Sequence, residues 1–483
     1  MNGGSLRIVL FGIVVLGLLV GYFFVETHPG YFNNVDYLAA LVLLQLVMAS
    51  LWKYEVVFFP LLMGFFLWGG MDLPYSSAGM TARWLVLVVA ASAGFVMWMR
   101  LRQHSYNAFH LVAFFCVAAA FVSALVSADP PTSLLKVLSL FLLFLYGATG
   151  ARLALLGRET KFIKGLIIGC EITVYASAIS YLGLGAPIWG NPNSLGAVMG
   201  VAVVPILLWA VIVAETRGQR YRCLLALLMA GILLYVALSR ASMLAAAVAV
   251  IALCASLRRQ RLLLQGAFVG VFVLACAAIV NPTHFDNFVS SVTSEILYKG
   301  KHETGFLGSR ANPWQETVTV IKQRPWFGTG FGTSYMGEYA ERGPLDLAPS
   351  KGGLYTKEGT NREHGNSYLA LVEYVGLLGI LPFALLVFLV IRMIVQVCVW
   401  MRQTSNPYHC AIPLAMVLLA GLIHAFFEDW LTAVGYYLCL FFWTLAFLLR
   451  DMMPAASPIK IPRPSPAHPR ISVPPAATIV PSQ

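Results

Sequence analysis

The chain is short of charge for its size and has no paired-cysteine framework. Lys, Arg, Asp and Glu make up only 11% of 483 residues, too little to clothe a soluble protein of that length. The eight cysteines (Cys116, Cys170, Cys223, Cys254, Cys276, Cys398, Cys410 and Cys439) lie in apolar runs or at their edges. A disulfide scaffold and zinc-type spacing are therefore excluded. No period of 20 to 50 residues marks a repeat array. The first apolar run, Ile8 to Val25, is followed by no small-residue cleavage site, so it is expected to be a retained span rather than a removed leader.

What is present is hydrocarbon: 59% of residues are hydrophobic and the mean hydropathy is +0.78. A single soluble core stops growing at roughly 250 to 300 residues, yet apolar runs recur from Ile8 to Leu449. A bilayer core takes about 20 helical residues. By that measure the runs are Ile8 to Val25, Tyr37 to Trp52, Val56 to Gly70, Trp84 to Met99, Phe109 to Val126, Leu134 to Leu156, and Phe162 to Leu182. Seven more are Ser194 to Val213, Cys223 to Leu238, Ala241 to Leu257, Leu262 to Val280, Tyr368 to Ile391, Cys410 to Phe427, and Leu431 to Leu449. The expected fold is all-α, a polytopic membrane bundle of twelve to fourteen transmembrane helices.

The net charge of +11 is not a nucleic-acid surface, because the basic residues fall in short clusters between apolar runs. Alternating the runs collects Arg100, Arg102, Arg158, Lys161, Arg217, Arg220, Arg258, Arg259, Arg402 and Arg450 on one side. The short loops opposite hold only Arg83, Lys136 and Arg240. Cytoplasmic loops retain Lys and Arg, so both termini are expected in the cytoplasm. The domains follow: residues 1–280 carry eleven spans, 281–367 a large outer loop, 368–450 three spans, and 451–483 a tail. Nine prolines between Asp451 and Gln483 mark that tail as a disordered segment, and truncating it is expected to be tolerated.

The polar groups that could do chemistry gather on the outer face. Arg240, in ALSRASML between two back-to-back runs, is either an interfacial anchor or a fixed cation for a phosphate, which a guanidinium fork grips bidentately. Lys136, after SADPPTS, adds a second cation or simply snorkels. The stretch Gly305 to Tyr335, GFLGSRANPWQETVTVIKQRPWFGTGFGTSY, combines Arg310 and Trp314 with an amphipathic helix and a Gly-punctuated segment. Without a preceding strand, GTGFG is read as a plain turn rather than a phosphate loop. In REHGNSYLALVEYVGLLG, His364 is a candidate base working near neutral pH or a capping histidine. Asn366 follows it, and Gly376 and Gly379 suit close helix packing.

Asn191 and Asn193 in WGNPNSLG fit a helix cap or sugar hydrogen bonds. Trp314, Trp326 and Tyr335 are candidates for stacking on sugar rings, against the alternative of interfacial anchoring. Glu171 is either a bundle-facing structural group or a functional one. The outer face carries no DxD pair, and the adjacent Glu428 and Asp429 have no evident partner. No metal and no cofactor are therefore expected. One histidine with several arginines suits group transfer from a diphosphate, with the base taking an acceptor proton and the arginines holding the leaving phosphate.

Taken in order, LSRASM, SRANPW, RPWFGTGFG and HGNSYL leading into EYVGLLG resemble the O-antigen ligase and polysaccharide polymerase family of bacterial envelope glycosyltransferases. The likeness covers about the last two thirds of the chain. It implies a helical inner-membrane enzyme of the GT-C type with one large periplasmic loop. It further implies an undecaprenyl-diphosphate-linked oligosaccharide donor, a glycan or lipid A-core acceptor, polysaccharide-assembly proteins as partners, and transfer with inversion. In that resemblance Arg240 and Arg310 hold the diphosphate and His364 is the base; Lys136, Asn193, Trp314, Trp326, Tyr335 and Asn366 are further candidate substrate contacts from the residues themselves. One departure stands out: the family's His directly precedes the polar residue ten positions before the helix glycine. Here Asn366 to Gly376 has that spacing, Gly365 takes the histidine's place and His364 lies one residue upstream. The departure favours a repeat-unit polymerase over a ligase. A transporter or flippase is the competing class, and it predicts functional polar groups at mid-membrane.

Overall fold

The computed structural model describes residues 58–73, 76–100, 106–185, 188–261, 264–265, 268, 308–334 and 364–454. Among them every regular element is helical and no strand occurs. The helices are α1 (Phe58–Gly70), α2 (Ser76–Arg100), α3 (Ala108–Leu125), α4 (Pro130–Ala148), α5 (Gly150–Leu155), α6 (Glu159–Ala178), α7 (Pro192–Ala197), α8 (Val204–Val213), α9 (Arg217–Val236), α10 (Arg240–Ser256), α11 (Gly308–Gln323), α12 (Ser367–Thr404), α13 (Ala411–His424) and α14 (Tyr437–Asp451).

Seven stretches are long and apolar enough to cross a membrane: Gly79–Arg100, Ala108–Leu125, Pro130–Leu155, Glu159–Gly183, Pro192–Val213, Arg217–Val236 and Ser367–Thr404. Three shorter apolar helices, Phe58–Gly70, Arg240–Ser256 and Ala411–His424, accompany them. The expected spans Ile8 to Val25 and Tyr37 to Trp52, nearly all of Leu262 to Val280, Tyr335 and the tail beyond Pro454 lie outside the described residues. The described cysteines are free thiols.

Local sequence explains where the helices begin. The side chain of Asn107 caps α3, and His110 closes the capping box from the third position, satisfying two otherwise orphaned donors. The expected start at Leu134 is a turn late. Asp129 accepts from the Thr132 N–H, and Pro130 and Pro131 occupy the first turn of α4, where a missing N–H costs nothing. Asn191 caps α7 in the same way, accepting from the Asn193 N–H at 2.8 Å.

The larger difference lies at the other end of the sequence. The last span was expected from Leu431, but α14 starts at Tyr437 and residues 425–436 form turns instead. Ser367 holds this segment: its hydroxyl donates to the Glu428 carbonyl at 2.6 Å and accepts from the Trp430 and Leu431 N–H groups. One side chain thus supplies the partners that a buried non-helical backbone needs. Trp430, Leu431 and Val434 remain buried.

Inside the bundle α4 packs against α2, α3 and α14, while α12 packs against α3 and α10 against α13. Phe144, Phe109, Trp443 and Phe447 meet edge to face in the core. At the Lys- and Arg-rich end, buried Arg152 pairs with Asp451 and lies 4.2 Å from the Trp98 ring. Glu171 pairs with Arg222 at 2.9 Å.

Candidate active site

The opposite end of the bundle gathers the start of α10, α11, the start of α12 and the 425–436 segment. Its framework is a break in α12. Gly376 has φ +69° and ψ −178°, which frees backbone groups on either side. The RPWFGTGFG segment fills the gap. The Leu377 and Leu378 N–H groups donate to the carbonyls of Pro325 and Trp326 at 2.7 and 3.2 Å. The Thr329 and Gly330 N–H groups donate to the carbonyls of Glu373 and Tyr374 at 2.9 and 3.2 Å. A Cβ on Gly376 would sit 2.3 Å from the Trp326 oxygen, and one on Gly328 2.4 Å from the Glu373 oxygen. Two glycines let two backbones touch. The Gly-rich segment is therefore a turn, as expected, and its Thr329 and Gly330 amides are spent on α12 rather than aimed at a phosphate.

His364 lies fully buried at the mouth of α12. Its Nδ1 is 2.8 Å from Asp429 Oδ2, and its Nε2 is 3.2 Å from Ser334 Oγ and 3.3 Å from Glu373 Oε1. Tyr374 adds its hydroxyl to Asp429 at 3.4 Å. Burial alone would lower the imidazole pKa, but the hydrogen bonds and charges of Asp429 and Glu373 outweigh it and raise the value to about 9. At neutral pH the ring is a cation between two carboxylates.

Arg310, from the first turn of α11, forms an ion pair with Glu428. Arg240 begins α10 close enough to Arg310 for the two like charges to be felt. Glycine at 365 is explained by this arrangement: its φ is +62°, and a Cβ there would come within 2.8 Å of the Arg310 guanidinium. The Trp314 indole donates to the Gly365 carbonyl at 3.2 Å, tying α11 to the histidine segment. Beside these groups lies a cleft of about 270 Å³ lined by Asn191, Asn193, His424, Glu428, Asp429 and Tyr436, among others. His424 is fixed there, accepting from the Trp430 indole at 2.8 Å and meeting the Ser242 hydroxyl at 3.1 Å.

The structure thus brings Arg240, Arg310, His364, Asn193 and Trp314 to one end of the bundle. Lys136 donates its ammonium to the Gly332 carbonyl, stapling the Gly-rich turn. Asn366 caps α12 through the Tyr368 and Leu369 N–H groups. Trp326 is exposed, and Tyr335 is outside the described residues. Sequence reading missed Glu428 and Asp429 as partners of Arg310 and His364, and Ser334 altogether. Glu373 stands out in the sequence as an ionisable residue inside a span, but not as a partner of His364; the signal for Glu428 and Asp429 was an acidic pair at the end of an apolar run.

These features define a polytopic helical membrane protein with a cluster of ionisable groups, Arg310, His364, Glu373, Glu428 and Asp429, at one end of the bundle. Residues 224–384, from within α9 to the middle of α12, match the family model described as O-Antigen ligase. The matched segment contains Arg240, Arg310, His364 and Glu373 and ends before Glu428. It indicates a membrane glycosyltransferase of the O-antigen ligase and polymerase type. No curated protein matches the chain at a significant level.

Proposed function

We propose that the protein is a repeat-unit polymerase, which transfers a glycan from an undecaprenyl-diphosphate carrier to an acceptor sugar hydroxyl on the periplasmic face of the inner membrane. The observation that carries this reading is that Arg310 and His364 are bonded to the adjacent carboxylates Glu428 and Asp429, both of which line one cleft. The acceptor oxygen attacks the anomeric carbon as the carbon–oxygen bond to the diphosphate breaks, inverting the centre. The acceptor proton passes to the Asp429–His364 pair once His364 has given up the proton it holds at neutral pH; Asp429 lines the cleft and orients Nδ1 from 2.8 Å. The charge left on the departing diphosphate is met by Arg240 and Arg310, positioned in advance and needing little reorganisation.

The test is product sizing in proteoliposomes supplied with lipid-linked repeat units. Wild type yields a ladder of chain lengths, and His364→Ala yields single units at equal protein level. The second reading, a ligase, is favoured by the description of the matched family. It predicts no ladder from repeat units alone and one transfer per lipid A-core acceptor.

A further inference from the structure

We propose that Glu428 is a displaceable counter-ion, a positioning residue that holds the Arg310 guanidinium in place until the donor diphosphate takes it over. The inference rests on the diphosphate reading of the two arginines. Arg310 and Arg240 carry like charges that are felt between them, and a negative group beside Arg310 eases that repulsion. Glu428 is such a group, and its ion pair with Arg310 fixes the direction in which the guanidinium fork points. The fork offers its donors in one plane, so an oxyanion arriving on the face that Glu428 holds must replace the carboxylate there.

Three features make the replacement feasible. The Glu428 backbone is anchored separately, through its carbonyl to Ser367, so the side chain can swing without moving the segment. It belongs to the turn segment 425–436 rather than to a helix. Its carboxylate lines the cleft and keeps a side-chain exposure of 19%, so once released it meets water instead of being stranded in a low dielectric. A diphosphate carries at least twice the charge of a carboxylate and spans both arginines, which favours the exchange. After transfer Glu428 competes with the spent carrier for Arg310 and assists its release.

The test measures binding of inorganic pyrophosphate to purified full-length protein in nanodiscs by calorimetry. Glu428→Gln keeps the shape and an acceptor oxygen for Arg310 but removes the charge. Pyrophosphate is expected to bind it about tenfold more tightly than wild type, while Glu428→Asp stays near wild type. In turnover, Glu428→Gln is expected to lower the donor KM and, through slower carrier release, kcat as well. A purely structural role would instead lower binding or folded yield in both variants. Pyrophosphate that binds wild type in an Arg310-dependent way but binds Glu428→Gln no more tightly overturns the counter-ion role and leaves the diphosphate site standing. Absence of pyrophosphate binding in wild type and in both Glu428 variants overturns both.

Discussion

His364 Nδ1 and Asp429 Oδ2 are 2.8 Å apart across 65 positions of sequence, with Glu373 3.3 Å from the other ring nitrogen. A buried imidazole flanked in this way is a stored proton rather than a free base. It must lose that proton, or pass it to a carboxylate, before it can accept one from a sugar hydroxyl.

Transfer should therefore climb with pH from neutrality toward about 9, roughly tenfold per unit if neutral imidazole is required. In Glu373→Gln one raising charge is gone, the folded pKa falls, and the rising limb shifts to lower pH. A pH–rate profile of both proteins checks this. Equal limbs would show that His364 does not set the profile.

The same shift links to stability. The folded pKa lies above the ordinary 6.5, so the folded state binds the proton more tightly than the unfolded state. That stabilisation is complete below about 6.5 and disappears as pH rises through about 9. Thermal unfolding in detergent should show wild type losing Tm across that window and His364→Gln losing much less.

Much of the architecture could be read from the sequence, and the reasons are specific. Among the described residues, apolar run length located the membrane helices from Val56 onward, apart from the late start of the last, because the bilayer imposes a length on each span. Arg240, Arg310 and His364 stood out because an ionisable group at the end of an apolar run is conspicuous. Glu428 and Asp429 were visible but had no assignable partner, since pairing across 118 and 65 positions depends on how helices pack. The turn segment 425–436 was hidden because Trp430, Leu431 and Val434 are as apolar as any span, and Ser367, which holds it, lies far away in sequence. The break at Gly376 was hidden for a related reason: glycine in a membrane helix more often marks close packing than a change of direction.

The break makes a sharp prediction about two kinds of glycine. Gly376→Ala would force a Cβ to within 2.3 Å of the Trp326 carbonyl at φ +69°, costing about 2 to 4 kcal/mol from strain and overpacking. Gly169, helical in α6 with nothing within 4 Å of an added Cβ, should tolerate Ala or gain about 0.5 to 1 kcal/mol. Thermal melts of the two variants in the same detergent decide it. Comparable melts would mean that the contact between the Gly-rich turn and α12 is not what holds this end of the bundle.

Arg310 separates charge from geometry. Arg310→Ala removes the cation and also leaves Glu428 without its partner, so transfer should fall about 10²- to 10³-fold. Arg310→Lys restores the charge but not the planar fork that Glu428 now engages and the diphosphate would replace. Because a lysine binds phosphate as a point charge, it should recover only a small part of the rate. Gly365→Ala approaches the same guanidinium at Nη1, whereas Glu428 holds Nη2: the added methyl would meet it at 2.8 Å and push it out of line while leaving its charge intact. Rates measured on all three with matched membrane levels should rank Gly365→Ala and Arg310→Lys together, well below wild type and above Arg310→Ala. If Arg310→Lys matches wild type, the site reads charge alone, and the bidentate grip assigned to Arg310 is wrong.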